Sequence, residues 1–336
     1  MNNDEIMRSM RAAVETELRD CVDSFLLEKP EKFKEMILYP LGLAGDSSAG
    51  EVKGKRLRPV ILLATSHAMG LDWQETLPAA TAIELVHNFS LVHDDIQDRS
   101  DTRRGQSTVW KKWGEAQAIN VGDALLAMSS IELQNLKFEH PVILREMSAL
   151  NAATFQLTVG QYLDLAFEKA EDIQFSSYWQ MVAGKTGALF GACFAMAAIM
   201  AGRNDEEVVT FDSFGSQLGL AFQVQDDYLG IFGDDKLTGK SVVTDLADRK
   251  KTYPILYGLE NISEFRQGWT KSKEFSEIDL LRLRGILEAS GVREHTEKFI
   301  RESYERVETE FELLFAGMKS VSLLRGLVDQ LLNRIK

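Results

Sequence analysis

In the stretch LVHDDIQDRSDTRRG, Asp94 and Asp98 stand four residues apart. On a helix they lie one above the other, with Asp95 about a quarter-turn away. A second acidic pair, Asp226 and Asp227, closes another apolar run, AFQVQDDYLG. Two carboxylates about 6 Å apart repel by roughly 3 kcal/mol at an effective dielectric near 20. If both pairs look into one cavity, something positive must fill it. Oxygen ligands suit a hard divalent cation, and Mg²⁺ is usually held by one or two carboxylates plus the oxygens of a bound phosphate. No His or Cys joins either pair at a zinc-like spacing; His93 adjoins Asp94, but successive helical residues face different ways. A single such motif reads as a solvated helix end. Two, each ending an apolar helix, point to a site.

An anion held by metals needs donors for its other oxygens. Arg103, Arg104 and Gly105 follow the first acidic motif directly. Upstream, KGKRLRP gathers Lys53, Lys55, Arg56 and Arg58 before Pro59. Proline favours a first helical turn, so a helix is expected from here through Met69, and four cations would reinforce the anion affinity of its N-terminus. Taken alone this is equally a solvated basic turn; opposite two acidic pairs it reads as an anchor for a second phosphate group. His87 lies two turns before Asp94 on roughly the same face, suited to a diphosphate contact, although a lone His on an apolar helix is more often a core residue. Lys185 and Thr186 open an uncharged helix in AGKTGALF. The spacing lacks the first glycine of a phosphate-binding loop and no strand precedes it, which excludes nucleotide binding there. A polar loop downstream holds Lys240, Asp245, Lys250 and Lys251.

Helices must position these groups. Apolar residues recur at helical spacing over residues 4–28, 31–39, 78–98, 115–136, 142–169, 205–233, 275–289, 292–315 and 318–335, and no alternating β-branched run appears. The fold class is therefore all-α. The 336 residues, 45% apolar, can bury a large core, and no linker divides them, so one domain over 1–336 is expected. A net charge of −13 argues against a nucleic-acid partner. Cys21 and Cys193 form no redox or metal spacing, which suits a reducing compartment. No targeting signal is visible, and the uncharged run 186–202 is too short to span a membrane; a cytoplasmic location is expected.

The series KGKRLRP, LVHDDIQD, TRRGQSTVW, GQYLDL, KTGALF, FQVQDDYLG, TGKSVVTDL and KKTYP, in this order, resembles the trans-isoprenyl diphosphate synthases, or polyprenyl synthetases. The resemblance implies an isoprenoid synthase fold, an antiparallel helix bundle around a large central cavity, in a homodimer. It implies Mg²⁺-dependent condensation of isopentenyl diphosphate with an allylic diphosphate, with three Mg²⁺ per site. Asp94 and Asp98 would bind two of these and Asp226 the third, supported by Asp95 and Asp227. Arg103, Lys185, Lys240 and Lys251 would hold the allylic diphosphate; Lys55, Arg58, His87 and Arg104 would hold isopentenyl diphosphate; Thr186 and Gln223 would flank the reacting carbons. The departing pyrophosphate would serve as base, so no catalytic His or Glu is needed. Two departures from the family pattern stand out: Lys53-Gly54 replaces a glycine pair, and Gly230 replaces a third Asp, leaving the third metal to Asp226 and water.

Product length would be set beneath the metals. Phe89 lies five residues, about 7 Å, before Asp94 and could form a floor, whereas the neighbouring Ser90 is too small to help. This pattern resembles synthases of the twenty-carbon geranylgeranyl product, with farnesyl or longer products as the alternative. A terpene cyclase is a further alternative, disfavoured by the second acidic motif and by KGKRLRP. A non-catalytic regulatory subunit is another, disfavoured because both acidic motifs are present.

Overall fold

The computed structural model describes residues 2–44, 54–170, 173–233, 244–271, 274–318 and 320–332. Helices come in the order α1 (Asn3–Phe25), α2 (Glu31–Leu38), α3 (Leu57–Ala68), α4 (Leu77–Gln97), α5 (Val109–Trp113), α6 (Glu115–Glu132) and α7 (His140–Lys169). There follow α8 (Phe175–Val182), a π-helical turn (Ala183–Gly187), α9 (Ala188–Met200), α10 (Asp205–Phe232) and α11 (Thr244–Ala247). The chain ends in α12 (Tyr253–Asn261), α13 (Ser263–Thr270), α14 (Glu277–Ala289), α15 (Val292–Leu314) and α16 (Val321–Leu332). The sheet among the described residues is one small hairpin, β1 (Thr102–Arg103) with β2 (Gln106–Ser107). Among the described residues the expectation of an all-α protein therefore holds except for four.

Contacts gather the chain into two compact units, each built from three stretches. The first comprises 1–154, 189–212 and 317–327. Its α4 is buried on nearly every side and packs on α1, α3 and α6. Helix α1 shows why such a segment folds. Asn2 and Glu5 form a reciprocal capping box at its start, and Met10, Val14, Leu18, Cys21 and Val22 repeat every three or four residues to make its buried stripe. Helix α3 starts two residues before Pro59, because Arg56 takes a left-handed conformation (φ 47°) and turns the chain there.

The second unit comprises 155–188, 213–316 and 328–336. Its core joins Tyr178 and Val182 of α8, Val224, Tyr228 and Ile231 of α10, Tyr253 and Ile255 of α12, and Leu283 and Leu287 of α14. The aromatic members meet edge-on or stacked, as ring quadrupoles prefer; Tyr253 lies on Phe299 at 4.7 Å. The segment Phe175–Met200 is long and apolar enough to cross a bilayer, yet 83% of its most apolar window is buried inside the protein.

Candidate active site

In the first unit, the last turns of α4 present Asp94, Asp95 and Asp98, and the Asp98 amide closes the helix on the Asp94 carbonyl at 2.8 Å. Asp94 is partly open to solvent and Asp95 is 4% exposed. Arg103 ties them together: its Nε donates to Asp95 Oδ1 at 2.8 Å and its Nη2 to Asp94 Oδ2 at 3.3 Å. Burial outweighs this cation and lifts the Asp95 carboxyl to about 6.

Arg103 reaches back because the chain reverses immediately after it. Arg104 and Gly105 form the tip of the β1–β2 hairpin, both at positive φ (52° and 76°), the pattern of a mirror-image two-residue turn. The next side chain, Arg104, lies against Gly54: a Cβ on that glycine would sit 2.8 Å from Nη1 of the guanidinium. The glycine retained in the Lys53-Gly54 departure is thus the one that leaves room for Arg104.

Arg58 completes a basic corner. Its Nη1 lies 3.4 Å from His87 Nε2, and its guanidinium sits 4.9 Å over the Phe190 ring. Burial, then the charges of Arg58, Arg104, Arg103 and Arg56, push the His87 imidazole well below its ordinary value. His87 is consequently neutral at pH 7, and the nitrogen facing Arg58 serves as acceptor. Lys55 is exposed.

Arg56, expected among the anchoring cations, belongs to the interior. It is 3% exposed and donates to Glu15 at 2.7 Å, to Glu84 at 2.6 Å and to the Leu41 carbonyl. Glu84 also accepts from Asn88 at 2.9 Å. A buried charge survives only when paired in this way, so Arg56 joins α1, α3 and α4 and is spent structurally. Lys53 lies outside the described residues.

Phe89 is 9% exposed, its ring edge-to-face with His93 at 4.9 Å and 71°. Ser90 donates to the His87 carbonyl at 2.8 Å.

In the second unit, Lys185 and Thr186 lie on the π-helical turn, a widened turn frequent at functional sites. Lys185 Nζ pairs with Asp164 of α7 at 2.5 Å. Thr186 Oγ1 donates to Gln223 Oε1 at 2.7 Å, and Gln223 Nε2 to Asp227 Oδ1 at 2.9 Å. The other Asp227 oxygen accepts the Tyr178 hydroxyl at 2.7 Å and the Tyr253 amide at 2.9 Å. Asp227 therefore organises α8, α10 and the start of α12; burial raises its carboxyl to about 7 despite three donors. Glycines set the turn against α7: a Cβ on Gly184 would lie 2.6 Å from the Gln156 carbonyl oxygen and 2.9 Å from Gly160 Cα.

Asp226 is half-buried on α10. One turn on, the space that a side chain at Gly230 would enter is filled by the Asp245 carboxylate of α11. Lys251 is 7% exposed with its ammonium 4.9 Å over the Trp269 ring, and burial, aided by Arg249, lowers it to about 8. That placement turns Lys251 toward an aromatic partner. Lys240 lies outside the described residues.

The acidic motifs offer oxygen donors only, as Mg²⁺ requires. Among the described residues no group of three or more His, Cys, Asp or Glu could hold a metal alone, so a cation here would complete its shell with water and substrate oxygens. Tyr178, Gly160 and Glu84 were not singled out from sequence, and Asp245 was noted only as one charge of a polar loop. Gly160 and Gly184 carried the one readable signal, glycines inside helical segments that mark a close packing approach.

Residues 47–278 match the sequence pattern of the polyprenyl synthetase family. The chain is 41% identical to a geranylgeranyl diphosphate synthase of Mycobacterium tuberculosis, over 70% of this chain and 67% of that one. It is 36% identical to a (2E,6E)-farnesyl diphosphate synthase of the same species, over 71% and 68%. Its fold superposes on geranylgeranyl pyrophosphate synthetase of Pyrococcus horikoshii with a TM-score of 0.85, 30% identity and 98% of both chains covered. Motif order, helical architecture and these matches agree: the chain belongs to the polyprenyl synthetase family, whose curated members are prenyltransferases.

Proposed function

We propose that the protein is a single-domain, Mg²⁺-dependent synthase that joins isopentenyl diphosphate head-to-tail to allylic diphosphates and ends at geranylgeranyl diphosphate. The observation that carries this is the division of labour between neighbours: Arg103 on Asp94 and Asp95, Arg104 beside Gly54 and the Arg58–His87 corner. Adjacent residues thereby serve an acidic, metal-suited group and a purely cationic one, as two different diphosphates require.

Bound at Asp94, Asp98 and Asp226, Mg²⁺ would neutralise the leaving diphosphate. The chain does the rest. Arg103 and Lys185, with Lys240 and Lys251, hold the allylic diphosphate, and Lys55, Arg58, His87 and Arg104 hold isopentenyl diphosphate. The allylic carbon–oxygen bond breaks with its electron pair leaving on oxygen, the isopentenyl double bond forms the new carbon–carbon bond, and the released diphosphate takes the proton. Thr186 and Gln223 offer oxygen lone pairs to the developing positive carbon, held by Asp227. Phe89 is the floor that stops elongation. Exposed Leu144 and Phe155 of α7 suit a homodimer in the cytoplasm.

Labelled isopentenyl diphosphate, incubated with dimethylallyl, geranyl or farnesyl diphosphate and Mg²⁺, is expected to yield a twenty-carbon product, and none with EDTA. A hydrocarbon from geranylgeranyl diphosphate alone, or tight ligand binding without turnover, would overturn the assignment.

A further inference from the structure

Gly122 lies in α6, where α6 packs along α4, and its Cα faces His93. A Cβ there would overlap the imidazole at Nε2 and Cδ2 and come within 3.0 Å of Cε1. The ring therefore occupies the space that any larger residue at 122 would fill. Its Nε2 lies 3.4 Å from the Ile119 carbonyl and 3.8 Å from the Asp123 carboxylate, so three residues of α6 surround the Nε2 edge of the ring. One helical turn back, the same ring meets Phe89 edge-to-face. His93 thus links α6 to the Phe89 side chain.

We infer that Gly122 and His93 are positioning residues for product length: the glycine seats the imidazole, and the imidazole holds the Phe89 ring in place. The inference rests on the synthase reading and on Phe89 as the floor. Histidine at 93 thereby has a use that needs neither metal nor proton transfer. It is rigid, flat and edge-polar, able to touch an α6 carbonyl on one side and an aromatic face on the other. With the ring unseated, Phe89 can leave its position and longer chains can pass.

The test compares the full chain with Phe89→Ala, His93→Ala, Gly122→Ala and the double variant, using labelled isopentenyl diphosphate, farnesyl diphosphate and product chromatography, with thermal unfolding to confirm folding. His93→Ala and Gly122→Ala should each raise the ratio of longer to normal product by about two- to tenfold, the worth of one edge-to-face aromatic contact. The double variant should match His93→Ala, because with no ring to displace the added methyl does nothing further. If Gly122→Ala fails to fold, His93→Ala still decides. Longer product from Phe89→Ala with wild-type product from the other variants would overturn the inference and leave the floor standing. Unchanged product from Phe89→Ala would overturn the floor, and the inference with it. Fully additive effects in the double variant would also overturn it.

Discussion

Replacing Gly184 by Ala puts one methyl group into the crossing of α7 with the π-helical turn. The added carbon would meet the Gln156 carbonyl oxygen at 2.6 Å and Gly160 Cα and N at 2.9 Å. All three are backbone atoms, and no side-chain rotation relieves them. Ordinary contact begins near 3.4 Å, so the turn must retreat by about 0.8 Å from a close-packed neighbour. Overpacking of this kind costs about 1–3 kcal/mol. For 336 residues at ~2 cal/mol/K each, that lowers Tm by roughly 2–4 °C, too little to unfold the protein at assay temperature. The catalytic effect should be larger. Lys185 and Thr186 ride on the moved turn, and a misplacement near 1 Å costs on the order of 10²-fold in rate. Steady-state kinetics with labelled isopentenyl diphosphate should show that fall in kcat/KM for the allylic substrate while KM for isopentenyl diphosphate stays near wild type. Gly285→Ala is the control, because nothing lies within 4 Å of its added carbon. It should gain about 0.5–1 kcal/mol of stability and leave turnover alone. Gly184→Ala with kcat/KM within about threefold of wild type would show that the turn does not position the reacting groups.

Three further outcomes follow from buried groups. Glu146 is fully buried with no hydrogen bond to either carboxyl oxygen, and burial raises its pKa well above 4.5. The folded state keeps the proton that the unfolded chain loses, so stability is lost as pH rises from 4.5 toward the folded value, by up to ~1.4 kcal/mol per pH unit. Glu146→Gln should flatten that slope in urea titrations between pH 5 and 8, and an unchanged slope would contradict it. Arg56→Lys cannot reach Glu15, Glu84 and Leu41 together, and should cost about 3–5 kcal/mol in urea unfolding; a loss within 0.5 kcal/mol would be inconsistent with the buried pairing. Asp227→Asn exchanges one acceptor oxygen for a donor facing donors, at a cost of about 1–3 kcal/mol. Proteolysis starting at the N-terminus of α12 would be its local sign, and a fully wild-type digestion pattern would count against Asp227 as the anchor.

Helix positions were legible in the sequence because apolar spacing and proline placement report directly on one face of a helix. The acidic motifs were legible for the same reason: charge at the end of an apolar run is a local pattern. What stayed hidden depended on partners distant in sequence. Arg56 looks like its neighbours Lys55 and Arg58 until Glu15 and Glu84 are brought to it. Lys251 has Trp269 beneath it, a neighbour that KKTYP does not announce. The hairpin at Arg103–Gln106 was missed because two-residue strands show no alternation, and Arg-Gly is a weaker turn signal than Asn-Gly. The π-helical turn has no sequence rule of its own, since it depends on how closely α7 approaches.

That hairpin also has a mechanical side. A two-residue reversal has no slack, and Arg104 is already held at a left-handed angle that an arginine adopts reluctantly. Whatever tugs the Arg103 backbone away from Asp94 must shift Arg104 against Gly54 as well. On the proposed assignment, the arm toward one anion and the arm toward the other are halves of a single stiff rocker, so an adjustment of one, by ligand or by mutation, should register in the other.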